Sequence, residues 1–397
     1  MAKTFITDSS EGTTTPFLRG ILTRSLTDAG MTFNDAYQLA TDIRQQINQT
    51  TNLTTQELRR LVLIELRKRR AHNVLDVYQQ NAPTSRVTVR NRSGQTTPFS
   101  RVEHSRSLIS TGLSTDKAAF ITQSLYQQFA DSQQSEVTSN QIGHLTYDEL
   151  RRQFGKEAAT RYLVWIDYKR GRSPLIVLIG GTTGCGKSTI ATEVAHRLGI
   201  IRTQSTDMLR EVMRMLIPKR LLPALHTSSF NAWRKMPNYK ESQEFTEEMM
   251  INGYLHQSEL VSVPCEAVIQ RALSERVSLI VEGVHVHPAL IERFRKGSNA
   301  VIVPVMLAVL KQDKLKHQLQ GRGMTSPDRS AQSEYLSNFD SIWALQSYLL
   351  SEADNSSLQI HKNDDKEKTT DHVMRSIMEV LQQDFHAKAD DVFTGIS

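Results

Sequence analysis

The clearest pattern along the chain is an alternation of apolar runs with amphipathic stretches, which begins after residue 172. The apolar runs have the length of strands, and the segments between them repeat apolar residues every three or four positions, as helices do. The pattern predicts strands at Leu175–Gly180, Leu279–Val284 and Ala300–Val309, and helices at Ser188–Leu198, Asp207–Ile217, Ser258–Ser274 and Asp371–Phe385. Such alternation is typical of an α/β fold with a parallel sheet flanked by helices, on which the last helix is expected to pack.

The first part of the chain carries a repeated pattern instead. Residues 16–47 match residues 98–129, and both segments contain the sequence Pro-Phe-x-Arg. Further on, Leu53–Arg60 matches Leu145–Arg152, which requires an insertion in the polar stretch Asp131–His144 of the second copy. The repetition predicts two small modules of similar structure ahead of the α/β part.

Each copy begins with a short strand and a glycine-containing turn, and helices follow. The strands are predicted at Lys3–Thr7 and Arg86–Arg90, and Thr32 and Ser114 stand where side chains cap the N-terminus of a helix. The predicted domain limits are 1–80 for the first module, 86–168 for the second module and 172–397 for the α/β domain.

The repeated motifs of both copies are similar to those of a known module. The Pro-Phe-x-Arg segment, the Arg-Ser-Leu helix and the Leu-Thr-x-x-Glu-Leu helix resemble the ATP-cone, a small and mostly helical regulatory module. The resemblance implies regulatory sites for ATP or dATP. Two interpretations stay open, because the copies either bind nucleotide or serve as helical scaffolding.

The amino-acid composition is typical of a soluble globular protein. The 397 residues are 39% hydrophobic and 23% charged, as in ordinary soluble globular proteins, and no apolar run is long enough to cross a bilayer. Since Cys185 and Cys265 are the only cysteines and no secretory signal is visible, a cytoplasmic location is expected. A net charge of +6 favours anionic partners, either phosphorylated metabolites or nucleic acid, although no RNA-binding signature is present.

A phosphate-binding signature follows the first predicted strand. Residues 181–188 read GTTGCGKS and fit the P-loop pattern G-x-x-x-x-G-K-[ST], with the required strand before and helix after. The glycines let backbone N–H groups converge on phosphate oxygens, and the helix N-terminus adds positive potential. The residues predicted to bind ATP are Gly181, Thr182, Thr183, Gly184, Cys185, Gly186, Lys187, Ser188 and Thr189.

Individual roles follow from this loop. Lys187 is predicted to reach the β- and γ-phosphates as a catalytic residue, and the Ser188 hydroxyl is predicted to bind Mg²⁺. Glu282 ends an apolar strand, where a second magnesium ligand is expected. Cys185 is interpreted as a small residue that fits the loop rather than as a reactive thiol.

Several polar residues further along the chain are candidates for holding the phosphoryl acceptor. Asp207 opens a predicted helix and either orients the acceptor hydroxyl, as a catalytic residue, or caps the helix. Arg210, one turn later, is a candidate partner for an anionic substrate. His285 is predicted to contact substrate or to hydrogen-bond behind it, and no third ligand supports a metal site with His287.

A run of four polar side chains adds further acceptor candidates. His226, Thr227, Ser228 and Ser229 precede Arg234 and suit a carboxylate or a phosphate. The alternative is a polar turn with helix caps.

A basic segment near the C-terminal end of the α/β domain is a candidate lid over the phosphates. The segment is Leu310–Arg329, with basic residues Lys311, Lys314, Lys316, His317, Arg322 and Arg329. Arg322 is the predicted catalytic residue of this segment. The alternative is a solvated basic helix.

Read together, these motifs resemble the 2-phosphoglycerate kinase family over about residues 172–385. The motifs are Leu178–Thr189, Ser205–Asp207, Leu222–Trp233, Val281–His285 and Tyr335–Gln346, and Leu-His-Thr-Ser-Ser is the most discriminating stretch. The resemblance implies a P-loop kinase that uses ATP and Mg²⁺ to convert 2-phosphoglycerate to 2,3-bisphosphoglycerate.

The chain departs from the family pattern at the lid and at the N-terminal modules. Only Arg322 stands clearly where the family tends to have two arginines, Trp343 replaces a usual basic residue, and there are two cone copies. The acceptor therefore stays open between 2-phosphoglycerate and an inositol or inositol phosphate. A hypothesis of another class is a nucleotide-dependent regulator that binds nucleic acid. A membrane partner is not expected, and the sequence leaves oligomerisation open.

Overall fold

A computed structural model describes most of the chain. It covers residues 4–7, 14–48, 50–69, 71, 74–75, 78, 87–132, 136–171, 173–237, 239, 244–295, 300–324, 330–386 and 388–393, without the side chains of residues 28, 130, 131, 295, 322–324, 330–332 and 390. The chain divides into two compact units, Met1–Arg86 and Val87–Ser397. Within the described ranges, every helix is too short or too polar to span a membrane.

The first unit is a three-stranded sheet with helices. Its strands are β1 (Phe5–Thr7), β2 (Thr14–Pro16) and β3 (Asn52–Thr54), and its helices are α1 (Arg19–Asp28), α2 (Phe33–Gln46) and α3 (Thr55–Lys68). Strand β1 is central, antiparallel to β2 and parallel to β3. The predicted N-cap of α2 is confirmed, because the Thr32 side chain accepts a hydrogen bond from the Asp35 N–H.

The second unit begins with the same arrangement. Strands β4 (Thr88–Arg90), β5 (Thr96–Pro98) and β6 (Glu136–Thr138) pair in the same order, and the helices are α4 (Arg101–Ile109), α5 (Thr115–Asp131) and α6 (Ser139–Gly171). Helix α6 is broken at Gly155, where φ is 85°. Ser114 stands at the N-cap of α5 as predicted, but its side chain makes no capping hydrogen bond.

The alignment of the second half of the repeat is wrong in the sequence-based prediction. Strand β6 pairs with β4 as β3 pairs with β1, so Thr138 corresponds to Thr54. Both threonines cap the helix that follows, and the buried Glu65 and Glu149 then occupy equivalent positions. Leu145 lies inside α6, not ahead of it. The short Leu-Thr-x-x-Glu-Leu match misleads because such spacing recurs along any amphipathic helix, whereas strand pairing sets one register.

The rest of the second unit is the predicted α/β domain. Five parallel strands lie in the order β11-β10-β7-β9-β8. They are β7 (Leu175–Gly180), β8 (Arg202–Ser205), β9 (Leu279–Glu282), β10 (Val301–Ala308) and β11 (Ile360–Lys362). The central strands β7 and β9 are buried along their whole length, as expected for strands covered on both faces. The predicted fold class is confirmed.

Helices connect and cover these strands. They are α7 (Lys187–Leu198), α8 (Thr206–Leu216), α9 (Glu247–Ser274), α10 (Pro288–Arg295), α11 (Gln312–Met324), α12 (Ser330–Ser337), α13 (Phe339–Asn355), α14 (Lys366–Asp384) and α15 (Ala389–Phe393), with 3₁₀ turns at Pro223–His226 and Ser229–Lys235. Helices α9 and α14 begin earlier than predicted, and β11 was not predicted. Helix α14 packs on the sheet through Val373, Ile377 and Leu381, as expected.

Candidate active site

The phosphate loop connects β7 to α7 at the carboxyl edge of the sheet. Gly184 and Gly186 have φ of +84° and +87°, a left-handed conformation that favours glycine. A Cβ at Gly184 would also press on Leu319 of α11 at 2.6 Å, so glycine is required on both grounds. Cys185 is fully buried, and burial raises the pKa of its thiol. Cys185 is therefore a packing residue of the loop.

Two side chains at the start of α7 have defined partners. The buried Lys187 donates from Nζ to the carbonyl oxygen of Thr182 at 2.7 Å, within the loop itself. Ser188 Oγ donates to Glu282 Oε1 at 3.0 Å. Glu282 reaches Ser188 because β9 lies beside β7, with Glu282 opposite Ile179. The two residues predicted as magnesium ligands thus stand together beside the phosphate loop.

Residues far along the chain hold the loop, and the sequence-based prediction missed them. Asn363, just after β11, donates from Nδ2 to the Cys185 carbonyl at 2.8 Å, and its own N–H bonds the Ala308 carbonyl. A Cβ at Gly186 would overlap this Asn363 amide. From the other side, Thr182 Oγ1 donates to the Ile342 carbonyl at 3.3 Å. The only sequence signal that could have pointed to Asn363 is its place as a polar residue just past a short strand.

Asp207 lies beside the same edge, at the start of α8. Strand β8 pairs with β9 so that Ser205 stands opposite Glu282, and Asp207 follows two residues later. Its side chain is about half exposed, and the nearest cation is Arg210, with Nε 3.8 Å from Asp207 Oδ1. Asp207 is therefore held only loosely and faces solvent.

Arg210 is occupied by the protein backbone. Its Nη1 donates to the carbonyls of Leu225 and Thr227, at 3.1 and 2.9 Å. Its Nε is buried and has no hydrogen-bond partner within the described ranges. Arg210 thus anchors the turn after Pro223–His226 to helix α8, a role that the prediction of a substrate contact did not include.

His285 belongs to a buried hydrogen-bond chain. Its Nδ1 lies 3.0 Å from Thr206 Oγ1 and its Nε2 lies 3.0 Å from Gln257 Oε1. Because Gln257 Nε2 donates to the Ala224 and Thr227 carbonyls, its Oε1 must accept, so His285 carries its proton on Nε2 and accepts from Thr206. Burial lowers the pKa of His285 to about 4. The ring is neutral and enclosed.

Of the two roles predicted for His285, this network favours a hydrogen bond behind the substrate over a direct substrate contact. The side chain is fully buried and both ring nitrogens are bonded to protein, so it orders the turn at residues 224–227 from behind. His287 is likewise enclosed, with Nε2 3.3 Å from the Tyr348 hydroxyl and Nδ1 accepting from the Ala289 N–H. Gln257, which joins helix α9 to the turn, was missed because a glutamine within a helix carries no sequence signal.

The four polar residues from 226 to 229 do not converge on one point through their side chains. His226 Nε2 donates to the Ile217 carbonyl at 2.9 Å, and Ser228 Oγ donates to Glu334 Oε1 at 3.3 Å. Ser229 is buried at the start of the 3₁₀ turn, and Thr227 uses its backbone carbonyl to accept from Arg210 and Gln257. The alternative of a polar turn with caps describes most of these contacts.

Arg234 is exposed and stacks on the Trp233 ring, with Cζ 5.1 Å from its centroid. Trp233 itself is anchored, since its indole N–H donates to the Phe230 carbonyl. The exposed guanidinium is thus placed by an aromatic ring.

Comparison with known proteins identifies the family. No protein-family model matches the chain. The 2-phosphoglycerate kinase of Pyrococcus furiosus is 38% identical over 282 residues, which is 71% of this chain and 90% of that protein. The chain belongs to the 2-phosphoglycerate kinase family. The 2-phosphoglycerate kinase of Thermococcus kodakarensis is 36% identical, over 72% of this chain and 94% of that protein. The 2-phosphoglycerate kinase of Pyrococcus horikoshii is 35% identical, over 71% of this chain and 90% of that protein.

The predicted family membership is therefore confirmed. A solved structure of a gluconokinase from Sinorhizobium meliloti 1021 also matches, at 13% identity over 53% of this chain and 94% of that chain. Its TM-score is 0.28, so this likeness supports no inference about the chain.

The candidate lid of this family member is helix α11. Leu315 and Leu319 are buried against the phosphate loop at Gly184, and Lys314 Nζ binds the Asp364 carbonyl oxygen at 2.6 Å. Lys316 Nζ lies 4.6 Å from the Phe339 ring centroid. Helix α11 is thus seated on the loop rather than solvated all round. The side chain of Arg322 and the whole of Arg329 lie outside the described residues.

Proposed function

We propose that this chain is an ATP-dependent kinase that transfers the γ-phosphoryl group to the hydroxyl of 2-phosphoglycerate and forms 2,3-bisphosphoglycerate. The observation that carries the proposal is the Ser188–Glu282 hydrogen bond of 3.0 Å beside the phosphate loop, in a member of the 2-phosphoglycerate kinase family. Nothing in the comparisons favours an inositol acceptor or a nucleic-acid-binding role.

The residues of the loop supply positioning and charge. In phosphoryl transfer the protein mainly orients the groups and stabilises charge on the phosphoryl oxygens. The N–H groups of residues 181–189 would hold the phosphates of ATP, and Lys187 would exchange the Thr182 carbonyl for β- and γ-phosphate oxygens. Because the Lys187 side chain is already buried within the loop, it needs little reordering to reach the phosphates of ATP.

The residues beside the loop fit Mg²⁺. Ser188 and Glu282 present a hydroxyl and a carboxylate, the hard oxygen ligands that Mg²⁺ prefers alongside water and substrate phosphates. When bound, the ion would neutralise negative charge on the β- and γ-phosphates.

Asp207 is the proposed residue that orients the acceptor hydroxyl. It is about half exposed, follows by two residues the Ser205 that stands opposite Glu282, and is only weakly paired. Arg234 is exposed, and its guanidinium is proposed to bind the carboxylate or phosphate of the acceptor. Arg210, His226 and His285 would act indirectly, by ordering the turn at residues 224–227. Arg322 stays a candidate for stabilising the transferred phosphoryl group.

An assay with three possible phosphoryl acceptors tests this proposal. ADP release is measured with ATP and Mg²⁺ and each of 2-phosphoglycerate, 3-phosphoglycerate and myo-inositol. We expect release only with 2-phosphoglycerate, and a fall of about 100-fold or more in Lys187→Ala, since loss of one charge-stabilising donor in an active site has that effect. No acceptor-dependent release with any of the three compounds would overturn the proposal.

The repeated modules are proposed to be regulatory nucleotide sites. Both have the same strand order and the same capped helix after the third strand, which is a conserved architecture within one chain. The proposal predicts that Lys187→Ala still binds ATP or dATP in calorimetry. Complete loss of nucleotide binding in that variant would instead make both modules structural.

The two cysteines support a reducing compartment. Cys185 and Cys265 are both buried and unpaired, as is common in proteins of the cytoplasm. We accordingly propose a cytoplasmic location.

A further inference from the structure

A cavity of about 500 Å³ lies where the second repeated segment meets the α/β domain, within the second unit. Its walls come from the start of α5, the second half of α6 and helix α14. No residue of the phosphate loop lines it. The volume is within the range of sites that hold small molecules.

Cationic side chains from three helices line this cavity. They are Lys117 of α5, Arg161 of α6 and Arg375 of α14. Lys117 Nζ lies 5.2 Å from the centroid of the Phe154 ring, which is also part of the wall. Arg375 is exposed and has no ion-pair partner among the residues that the structure describes. Three different helices thus each contribute a positive charge to one concave surface.

The two acidic residues of the wall each have an arginine partner, and the wall keeps one more cation than anion. Asp371 is already paired with Arg197 of helix α7, with Nη1 2.5 Å from Oδ1. Glu157 accepts from Arg161 Nη1 at 2.6 Å, and its side chain is 80% exposed. Arg161 Nε is buried and finds no acceptor in the described part of the chain. The guanidinium is therefore only partly satisfied by the protein.

Backbone donors add to the positive potential. The wall includes residues 111–114, which lead into the N-terminus of α5, a helix of 17 residues. Ser114 at the N-cap makes no side-chain capping hydrogen bond, so the first N–H groups of the helix are not capped by that side chain. A helix of this length attracts anions at its N-terminus.

We propose that this cavity binds a small phosphorylated anion. The ligand would be a nucleotide, a bisphosphorylated metabolite or pyrophosphate, whose common feature is a cluster of phosphate oxygens that guanidinium and ammonium groups recognise. Asp371 of the cavity wall forms an ion pair with Arg197, which lies in helix α7 after the phosphate loop. Ser110 Oγ also donates to the Arg197 carbonyl at 2.6 Å. The site is separate from the proposed catalytic centre and does not depend on its substrate.

Calorimetric titration of the full chain tests the proposal. All proteins carry Lys187→Ala, which weakens the phosphate loop, and the probes are ATP, 2,3-bisphosphoglycerate and pyrophosphate. The test variant adds Lys117→Ala and Arg375→Ala, two exposed positions whose replacement leaves the core unchanged. The matched control adds Arg151→Ala and Lys388→Ala, which remove the same charge from exposed positions that do not line the cavity.

We expect at least one probe to bind the parent and the control equally, and to bind the test variant about tenfold or more weakly, since two charge-assisted contacts are lost. Glu157→Gln removes the carboxylate that competes for Arg161 and is expected to tighten binding of the same probe. The proposal fails if no probe binds the parent, if the test variant binds all probes as the control does, or if Glu157→Gln weakens binding. Kinase activity plays no part in this outcome.

Discussion

At the scale of single residues, buried polar groups determine how the candidate site is held. Thr206, His285 and Gln257 form a chain that ends on backbone carbonyls of the turn at residues 224–227. The pairing stabilises these three side chains, because an unpaired buried polar group costs about 1–3 kcal/mol. The chain therefore defines both the tautomer of the imidazole and the position of the turn.

The enclosed imidazole makes the stability of the protein depend on pH. Burial lowers the pKa of His285 from 6.5 to about 4, so between these values the unfolded chain takes up a proton that the folded chain does not. The stability linked to this group is fully present above about pH 6.5 and is lost as pH falls toward 4. At pH 5 the loss is about 2 kcal/mol.

Urea unfolding at pH 7.5 and pH 5 tests this linkage. His285→Asn should reduce the loss of stability on going to pH 5, whereas the exposed control His196→Asn should leave it unchanged. Burial also lowers the pKa of His104 and His361 to about 4, so the variant keeps part of the dependence. Equal pH dependence in His285→Asn and the parent protein would contradict the assignment.

Asn363 offers a second test at this scale. Asn363→Ala removes the hydrogen bond to the Cys185 carbonyl and opens space at Gly186, so the phosphate loop loses a support. We expect KM for ATP to rise about tenfold, as loss of about 1–2 kcal/mol of loop ordering implies. Steady-state kinetics with varied ATP measures this. Asn355→Ala, at an exposed helix end, is the matched control; the same KM in both variants would exclude the role of Asn363.

At the scale of elements, helix α9 supports the two 3₁₀ turns at residues 223–235. The 3₁₀ turn Ser229–Lys235 packs directly on α9, because Gly253 leaves room for the backbone of Trp233. The same helix supplies Gln257 one turn later, which bonds the neighbouring turn. A single helix thus positions the stretch that distinguishes the family motif.

Replacing this glycine is predicted to disturb the site. A Cβ at Gly253 would overlap the Trp233 backbone, so Gly253→Ala should cost about 1–3 kcal/mol of stability through overpacking. Gly20→Ala, in helix α1 with no atom within 4 Å of the added carbon, is the control and should be neutral or slightly stabilising. Chemical denaturation compares the two. If Gly253→Ala is as stable as the parent, helix α9 and the turn do not pack as closely as described.

At the scale of the whole molecule, the second repeated segment and the α/β domain form one compact unit. The C-terminal helix α15 returns to this segment, where Val392 is fully buried and Phe393 packs beside Tyr162 and Gly143. Arg92 Nη2 donates to the Val392 carbonyl at 2.9 Å. The end of the α/β domain therefore completes the core of the segment that precedes it.

Truncating this aromatic ring tests the connection. Phe393→Ala removes a buried ring and should lower the free energy of unfolding by about 3 kcal/mol or more. Phe120→Ala is the control, because Phe120 lies in the same segment but is 52% exposed. Thermal unfolding followed by circular dichroism compares them. Equal effects of the two substitutions would mean that helix α15 contributes little to the core.

Local signals in the sequence determined the fold class, the phosphate loop and the family. The apolar runs became β7, β9 and β10 because a strand buried on both faces must be continuously apolar. The glycines and Lys187 of the loop lie within eight residues, so their joint role needs no long-range information. The sequence also predicts Ser188 and Glu282 separately as magnesium ligands, and they lie together because parallel strands end at one edge of the sheet.

Only the tertiary structure decided the roles that depend on contacts between distant segments. His285 and Arg210 are residue types that often contact ligands. The fold, however, encloses His285 and directs Arg210 to backbone carbonyls. Asn363 and Gln257 became important only when β11 and α9 were placed beside the loop and the turn. A residue type limits which bonds a side chain makes, whereas burial and neighbours, which arise from packing over the whole chain, select the bonds that form.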